Sequence, residues 1–183
     1  MNKNKKKALL LVDIQNDYFP GGRNPLYRAE EAALNAQQIL MFFRQKEQPI
    51  FHVQHISLQE NAAFFLPNTD GCLIHKSVLP DGNESVVIKH TPDSFFQTNL
   101  QEKLVLNEID ELVICGMMSH MCIDTTVRSA KRLGYVVTVI ADACTTRDLI
   151  YGGETIQAET VHRTFMAALN GTFAKVIDVS ELN

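Results

Sequence analysis

Apolar residues in this chain gather into six short, nearly continuous runs separated by stretches of helical spacing. Ala8 to Val12 is the first run and stops at Asp13. Residues 49–55, 84–89, 111–115, 135–141 and 173–179 supply the other five. Runs this short, rich in β-branched residues, read as strands. Between the first two, residues 26–45 place Ala29, Ala32, Ala33, Ala36, Ile39, Leu40 and Phe43 on one helical face. Residues 95–106, the stretch from Cys122 to Gly134, and residues 153–169 read as further helices. Gly134 and Asn170-Gly171 stop the last two. Residues 57–83 are irregular, interrupted by Pro67, Gly71, Pro80 and Gly82.

Strands that are apolar throughout, rather than alternating, mark a parallel sheet covered on both faces by helices. Repeated strand–helix units then predict a doubly wound α/β fold. Neither an internal repeat nor a linker divides the chain, so residues 1–183 read as one domain. Sites in such folds lie beyond the carboxyl ends of the strands. Asp13, Lys89 and Cys122 all fall at that edge.

Composition narrows the function classes. The chain has 183 residues, 45% hydrophobic and 21% charged, which is enough for a full core. A net charge of −4 gives no support for nucleic-acid binding through a broad basic surface. Lys3, Lys5, Lys6 and Lys7 form the only basic run, and Asp13 cuts the apolar stretch after it too short for a secretory signal. No stretch reaches membrane-spanning length. The expectation is a cytoplasmic protein with a small-molecule partner and neither nucleic acid nor membrane. Phe64, Phe65, Leu66, Leu73 and Ile74 lie in the irregular segment and need cover. A second copy of the chain would supply it, predicting a homo-oligomer. The other solution is a segment folded back over its own site as a lid.

Of the four cysteines, Cys72, Cys115 and Cys144 show no metal or disulfide spacing. Cys122 differs. It follows the strand 111–115 and the turn Gly116-Met117-Met118-Ser119-His120-Met121, and it precedes a helix. A helix N-terminus there predicts a lowered thiol pKa and backbone donors for an oxyanion. Taken singly, Asp13 reads as a turn-capping carboxylate and Lys89 as a lysine with a packed stem. Taken together, an acid, a lysine and a thiol at one sheet edge supply a base, a cation and a nucleophile.

Four segments carry a family resemblance. They are residues 10–19 (Leu-Leu-Val-Asp-Ile-Gln-Asn-Asp-Tyr-Phe), residues 87–100 with Lys89 and Ser94-Phe95, residues 116–122, and Ala141-Asp142-Ala143-Cys144. In this order the chain resembles the isochorismatase-like cysteine hydrolases, relatives of nicotinamidase and N-carbamoylsarcosine amidase. The resemblance implies a six-stranded sheet in the order 3-2-1-4-5-6 and a catalytic triad of Asp13, Lys89 and Cys122. It also implies a cis peptide at Met117–Met118, oxyanion donors from the Met118 and Cys122 N–H groups, and a homo-oligomer. The implied activity is cleavage of a C–N bond in a small amide or carbamoyl substrate through a thioester.

Gln15, Phe19, His55, Phe95 and His120 are the candidate substrate contacts, whereas Phe65 and Phe96 are assigned to the core. No cofactor and no metal are expected. The metal-binding branch of the family carries an acid where this chain has Gln54, and His52 and His55 sit on opposite faces of a strand. Three alternatives stand: isochorismatase-type ether hydrolysis, a non-catalytic binding member of the fold, and a redox-sensing thiol. Retention of Cys122 and of the whole triad favours the amide route over them.

Overall fold

The computed structural model describes residues 6–182. Six parallel strands form the sheet: β1 (Lys7–Val12), β2 (Ile50–His55), β3 (Ser85–Lys89), β4 (Glu111–Met117), β5 (Val136–Thr145) and, last in the chain, β8 (Lys175–Ile177). Their order is β3-β2-β1-β4-β5-β8, the expected 3-2-1-4-5-6 once the sixth strand of the sheet is counted as such. A small antiparallel ribbon, β6 (Leu149–Tyr151) with β7 (Glu154–Ile156), stands apart from it. The helices are α1 (Ala29–Gln45), α2 (Leu100–Leu106), α3 (Asp124–Arg132) and α4 (Ala158–Leu169). Strand order reverses between β1 and β4. Right-handed crossovers therefore put α1 on one face and α2, α3 and α4 on the other. Residues 8–12 of β1 are at most 2% exposed, as a central strand covered on both faces must be.

The structure moves several predicted boundaries, each for a physical reason. Residues 26–28 do not join α1. The N–H groups of Leu26 and Tyr27 go instead to Tyr18 O and Thr146 O, at 3.0 and 2.9 Å. Residues 95–99 stay out of α2 because Gln97 is left-handed (φ 55°) and the Thr98 hydroxyl caps locally onto Ser94 O at 2.7 Å. The start expected for α4 is instead the β6–β7 ribbon. Gly152 and Gly153, at φ 62° and 83°, make its two-residue turn, the type that favours glycine. α4 begins only at Ala158, whose N–H donates to Asp148 Oδ1 at 2.7 Å. β5 runs on to Thr145, with pairing that jumps from Ile114–Val139 to Gly116–Cys144.

The segment between β2 and β3 folds back on its own chain in part. Phe65 is fully buried, its ring 4.6 Å from Tyr18, and its N–H donates to the buried Asp17 Oδ2 at 2.6 Å. Gly71 closes the same turn, where a Cβ would sit 2.2 Å from Asp17 Oδ1. Leu58, Leu73 and Leu79 remain at least half exposed. Phe96, assigned to the core from sequence, is 54% exposed because it sits in the turn before α2 and not on a helix face. Among the described residues no helix is long and apolar enough to cross a membrane.

Candidate active site

Three strand ends converge. Asp13 follows β1, Lys89 ends β3, and Cys122 lies past β4 in a π turn, Ser119–Ile123, that leads into α3. Such turns recur at functional sites. Gly116 makes the approach of β4 possible. It adopts φ 130°, and a Cβ there would sit 2.0 Å from Val12 O, beside Asp13. Asp13 itself is left-handed at φ 52°, a conformation that costs a non-glycine residue about 1–2 kcal/mol. The Met117–Met118 peptide is cis, as the family resemblance implies.

Lys89 organises the cluster. Its Nζ lies 2.7 Å from Asp13 Oδ2, 2.9 Å from Thr91 O, 3.0 Å from His55 Nδ1 and 3.2 Å from Cys122 Sγ. Both Lys89 and Asp13 are 0% exposed. Burial alone opposes the ammonium charge, but Asp13 and Cys122 outweigh burial and raise the Lys89 pKa. Lys89 therefore stays charged and donates. Asp13 Oδ2 pairs with Lys89 at 2.7 Å, and among the described residues Asp13 Oδ1 accepts no hydrogen bond of good geometry. One carboxylate oxygen is left free to take a proton.

The thiol differs from its sequence-based expectation. Burial first, then the Asp13 carboxylate, push the Cys122 pKa well up, and Lys89 offsets only part of this. Burial and the Asp13 carboxylate both favour the protonated thiol over the thiolate. It sits in the π turn ahead of α3, so the helix terminus does not dominate its environment. Its activation falls to the neighbouring carboxylate.

The Asp13, His55 and Cys122 donor atoms lie within 4.8 Å of one another, a spacing that suits a metal ion. Lys89 Nζ is within 3.2 Å of an atom of each, so the ammonium is the cation these donors face. Because Lys89 donates to His55 Nδ1, the His55 proton belongs on Nε2. Burial, followed by the Lys89 charge, outweighs the pull of Asp13 and lowers the His55 pKa to about 4.

That shift has a consequence for stability. Between about pH 4 and pH 6.5 the unfolded chain protonates His55 and the folded protein does not. Stability from this group is thus fully present above about pH 6.5 and is lost as pH falls towards 4. The loss is on the order of 3 kcal/mol. A His55→Gln variant keeps an acceptor for Lys89 but cannot titrate. Urea unfolding at pH 7 and pH 4.5 is expected to show a smaller loss for the variant than for wild type. Subtraction matters, because burial lowers His52, His75, His120 and His162 in the same direction. Equal losses in both proteins would remove His55 from the account.

The remaining sequence candidates take different places. Gln15 is fully buried with both ends of its amide engaged: Nε2 donates to His55 O and Cys72 O, and Oε1 accepts from His55 N, all at 2.7–2.8 Å. It clamps the end of β2 and so orients His55. Phe19 stacks on His75 with ring centroids 3.6 Å apart, in the wall of a cavity of about 930 Å³ that also involves Arg23, Gln54 and Leu79 and none of the triad. Phe95 is half-buried and stacks against Tyr135. His120, on the π turn, bonds through Nδ1 to the Thr146 hydroxyl and packs its ring on Phe165.

Tyr18 escapes the sequence pattern. It is 1% exposed, and its pKa is raised first by burial, with the Asp13 carboxylate acting in the same direction. Its hydroxyl therefore stays protonated within electrostatic reach of Asp13. The only available signal was its place in the 10–19 segment, one residue before Phe19.

An acid, a cation and a thiol meet at the reversal point of a doubly wound parallel sheet, the place where α/β folds of this class carry their sites. Residues 7–181 match the isochorismatase domain family, and the chain belongs to that family. It is 54% identical over 169 residues to the isochorismatase family protein YddQ of Bacillus subtilis strain 168, covering 92% of this chain and 94% of that one. The crystal structure of an isochorismatase from Pseudomonas putida KT2440 superposes with a TM-score of 0.91 at 32% identity, covering 100% of this chain and 94% of that one. Nicotinamidase of Escherichia coli strain K12 is 25% identical over 177 residues, 75% of this chain and 82% of that protein. The family is one of hydrolases.

Proposed function

We propose that the protein is a cysteine amidohydrolase that cleaves a C–N bond of a small amide or carbamoyl substrate. One observation carries the reading: a single buried ammonium touches both a carboxylate with a free oxygen and a thiol. Asp13 takes the Cys122 proton as the sulfur attacks the carbonyl carbon. The Met118 and Cys122 N–H groups hold the oxyanion. Asp13 then protonates the departing nitrogen, and the C–N bond breaks to leave a thioester on Cys122. Water, deprotonated by Asp13, attacks the thioester and regenerates the thiol. Lys89 keeps Asp13 ionised and offsets the charge that develops on sulfur. The raised thiol pKa suits this scheme, because proton transfer is coupled to attack and no resting thiolate is needed.

His55 Nε2–H and the Tyr18 hydroxyl are the donors proposed to face the substrate. Phe19, Phe95 and His120 are proposed to shape the approach, and Gln15 to hold His55. Kinship with a nicotinamidase supports amide over ether cleavage. The proposal includes a small-molecule substrate, a cytoplasmic location, no metal or other cofactor, and no nucleic-acid or membrane partner.

The test is ammonia release from a panel of small amides and carbamoyl compounds, assayed with a strong chelator present. Turnover of at least one is expected. Hydrolysis of isochorismate with no amide turned over would replace this reading with ether hydrolysis.

A homo-oligomer is also proposed. Leu58, Leu73 and Leu79 on the segment before β3, and Ile150 and Tyr151 on the β6–β7 ribbon, are 50–83% exposed. A two-stranded ribbon is marginal by itself in water. Light scattering at micromolar concentration is expected to give a multiple of 20.6 kDa. A monodisperse 20.6 kDa species would end the proposal.

A further inference from the structure

The nucleophile turn is gripped from behind by α4. Ser119, its first residue, is fully buried. The Ser119 hydroxyl donates to Thr145 O at 3.1 Å and lies 2.8 Å from His162 Nδ1. A serine has one hydroxyl proton. With that proton on Thr145 O, His162 must donate through Nδ1, which fixes its tautomer and leaves Nε2 without a proton. Burial lowers the His162 pKa, with Asp178 opposing, so the ring rests neutral in this form. One helical turn on, the Phe165 ring meets His120, the second residue of the same turn. α4 thus holds two consecutive residues of the stretch that runs from Met118 to Cys122.

None of this touches the triad directly. Ser119 is adjacent to Met118, whose carbonyl accepts the N–H groups of Met121 and Ile123 on either side of Cys122. Any slip of Ser119 is therefore passed to the thiol and to the proposed oxyanion donors. The geometry points to His162 as a positioning residue for the nucleophile: its Nδ1–H, acting through Ser119 and Thr145, fixes the π turn so that Cys122 Sγ stays within reach of Lys89 and Asp13.

The turnover part of the test rests on the amidohydrolase reading, and the labelling part does not. The rate of Cys122 carbamidomethylation by iodoacetamide, followed by peptide mapping, reports the thiol environment whatever the substrate is. His162→Ala is expected to slow Cys122 labelling, and to lower kcat on any substrate found, by about tenfold to a hundredfold with little change in KM. His162→Asn can place a side-chain N–H where Nδ1–H stood, and is expected to recover wild-type rates to within about threefold. His162→Gln, which mimics the other ring nitrogen, is expected to stay slow. Ser119→Ala should match His162→Ala, and the double variant should be no worse than either single one, as for groups acting in one chain. Wild-type labelling in His162→Ala, additive effects in the double variant, or equal rates in the Asn and Gln variants would each overturn the assignment. If His162→Ala does not fold, the Asn and Gln pair decides alone. Normal Asn-against-Gln discrimination in labelling, with no amide turned over, would uphold the positioning role and reject only the amidohydrolase reading.

Discussion

Replacing Cys122 by alanine is expected to reduce turnover by about 10⁴-fold or more on any amide the protein hydrolyses, because the covalent route disappears with the sulfur. The fold should survive. Lys89 has three N–H donors and four acceptors around it, so loss of Sγ still leaves one acceptor each from Asp13, Thr91 and His55. No buried charge is orphaned, and the cavity left is only that of a thiol. A stability change within about 1 kcal/mol is the expectation. Ammonia release and thermal melting on the same preparation check both halves. Activity within tenfold of wild type would remove Cys122 as nucleophile. An inactive protein that also fails to fold would be uninformative from this variant, and Cys122→Ser, which keeps the volume and a hydroxyl for Lys89, separates the two outcomes.

Strand positions and the clustering of Asp13, Lys89 and Cys122 were legible in the residues, and strand order and the cis bond through the family resemblance. The continuous apolar runs gave strand positions because a central parallel strand has no polar face to alternate with. Residues 8–12 are the clearest case. The meeting of Asp13, Lys89 and Cys122 was legible because Asp13 and Lys89 end such runs, where a charge has to be paired, and because the family segments occur in order. What escaped depends on tertiary contacts. The thiol pKa was misjudged because helix-terminus reasoning is local, whereas the burial of Cys122 and the approach of Asp13 come from β1 and β4 lying side by side. Tyr18 was missed because its relevance depends on the Phe64–Phe65 segment folding over it from about fifty residues away. Residues 153–157 were misread because their helical spacing hid the Gly152-Gly153 turn signal. Gln15 was read as a substrate contact, and its hydrogen bonds to the backbone of His55 and Cys72 could not be read from a pattern of residue types.

The second large effect concerns the Asp13–Lys89 pair. Lys89→Met removes the cation and leaves the Asp13 carboxylate buried at 0% exposure without its counter-charge. Stranding one partner of a buried ion pair costs about 3–5 kcal/mol. Lys89→Met is therefore expected to be strongly destabilised as well as inactive. Asp13→Asn on that background removes the stranded charge. Asparagine also tolerates the left-handed backbone that position 13 requires. The double variant Asp13→Asn/Lys89→Met should recover most of the lost stability and no activity. Urea unfolding of the wild type, the Lys89→Met variant and the double variant gives the comparison, with ammonia release measured on each. Recovery of stability without activity means that the buried pair is kept for chemistry and that the fold can do without it. If instead the double variant is as unstable as Lys89→Met, the pair is a structural support of the sheet edge. Asp13 and Lys89 would then owe their place to packing rather than to proton transfer.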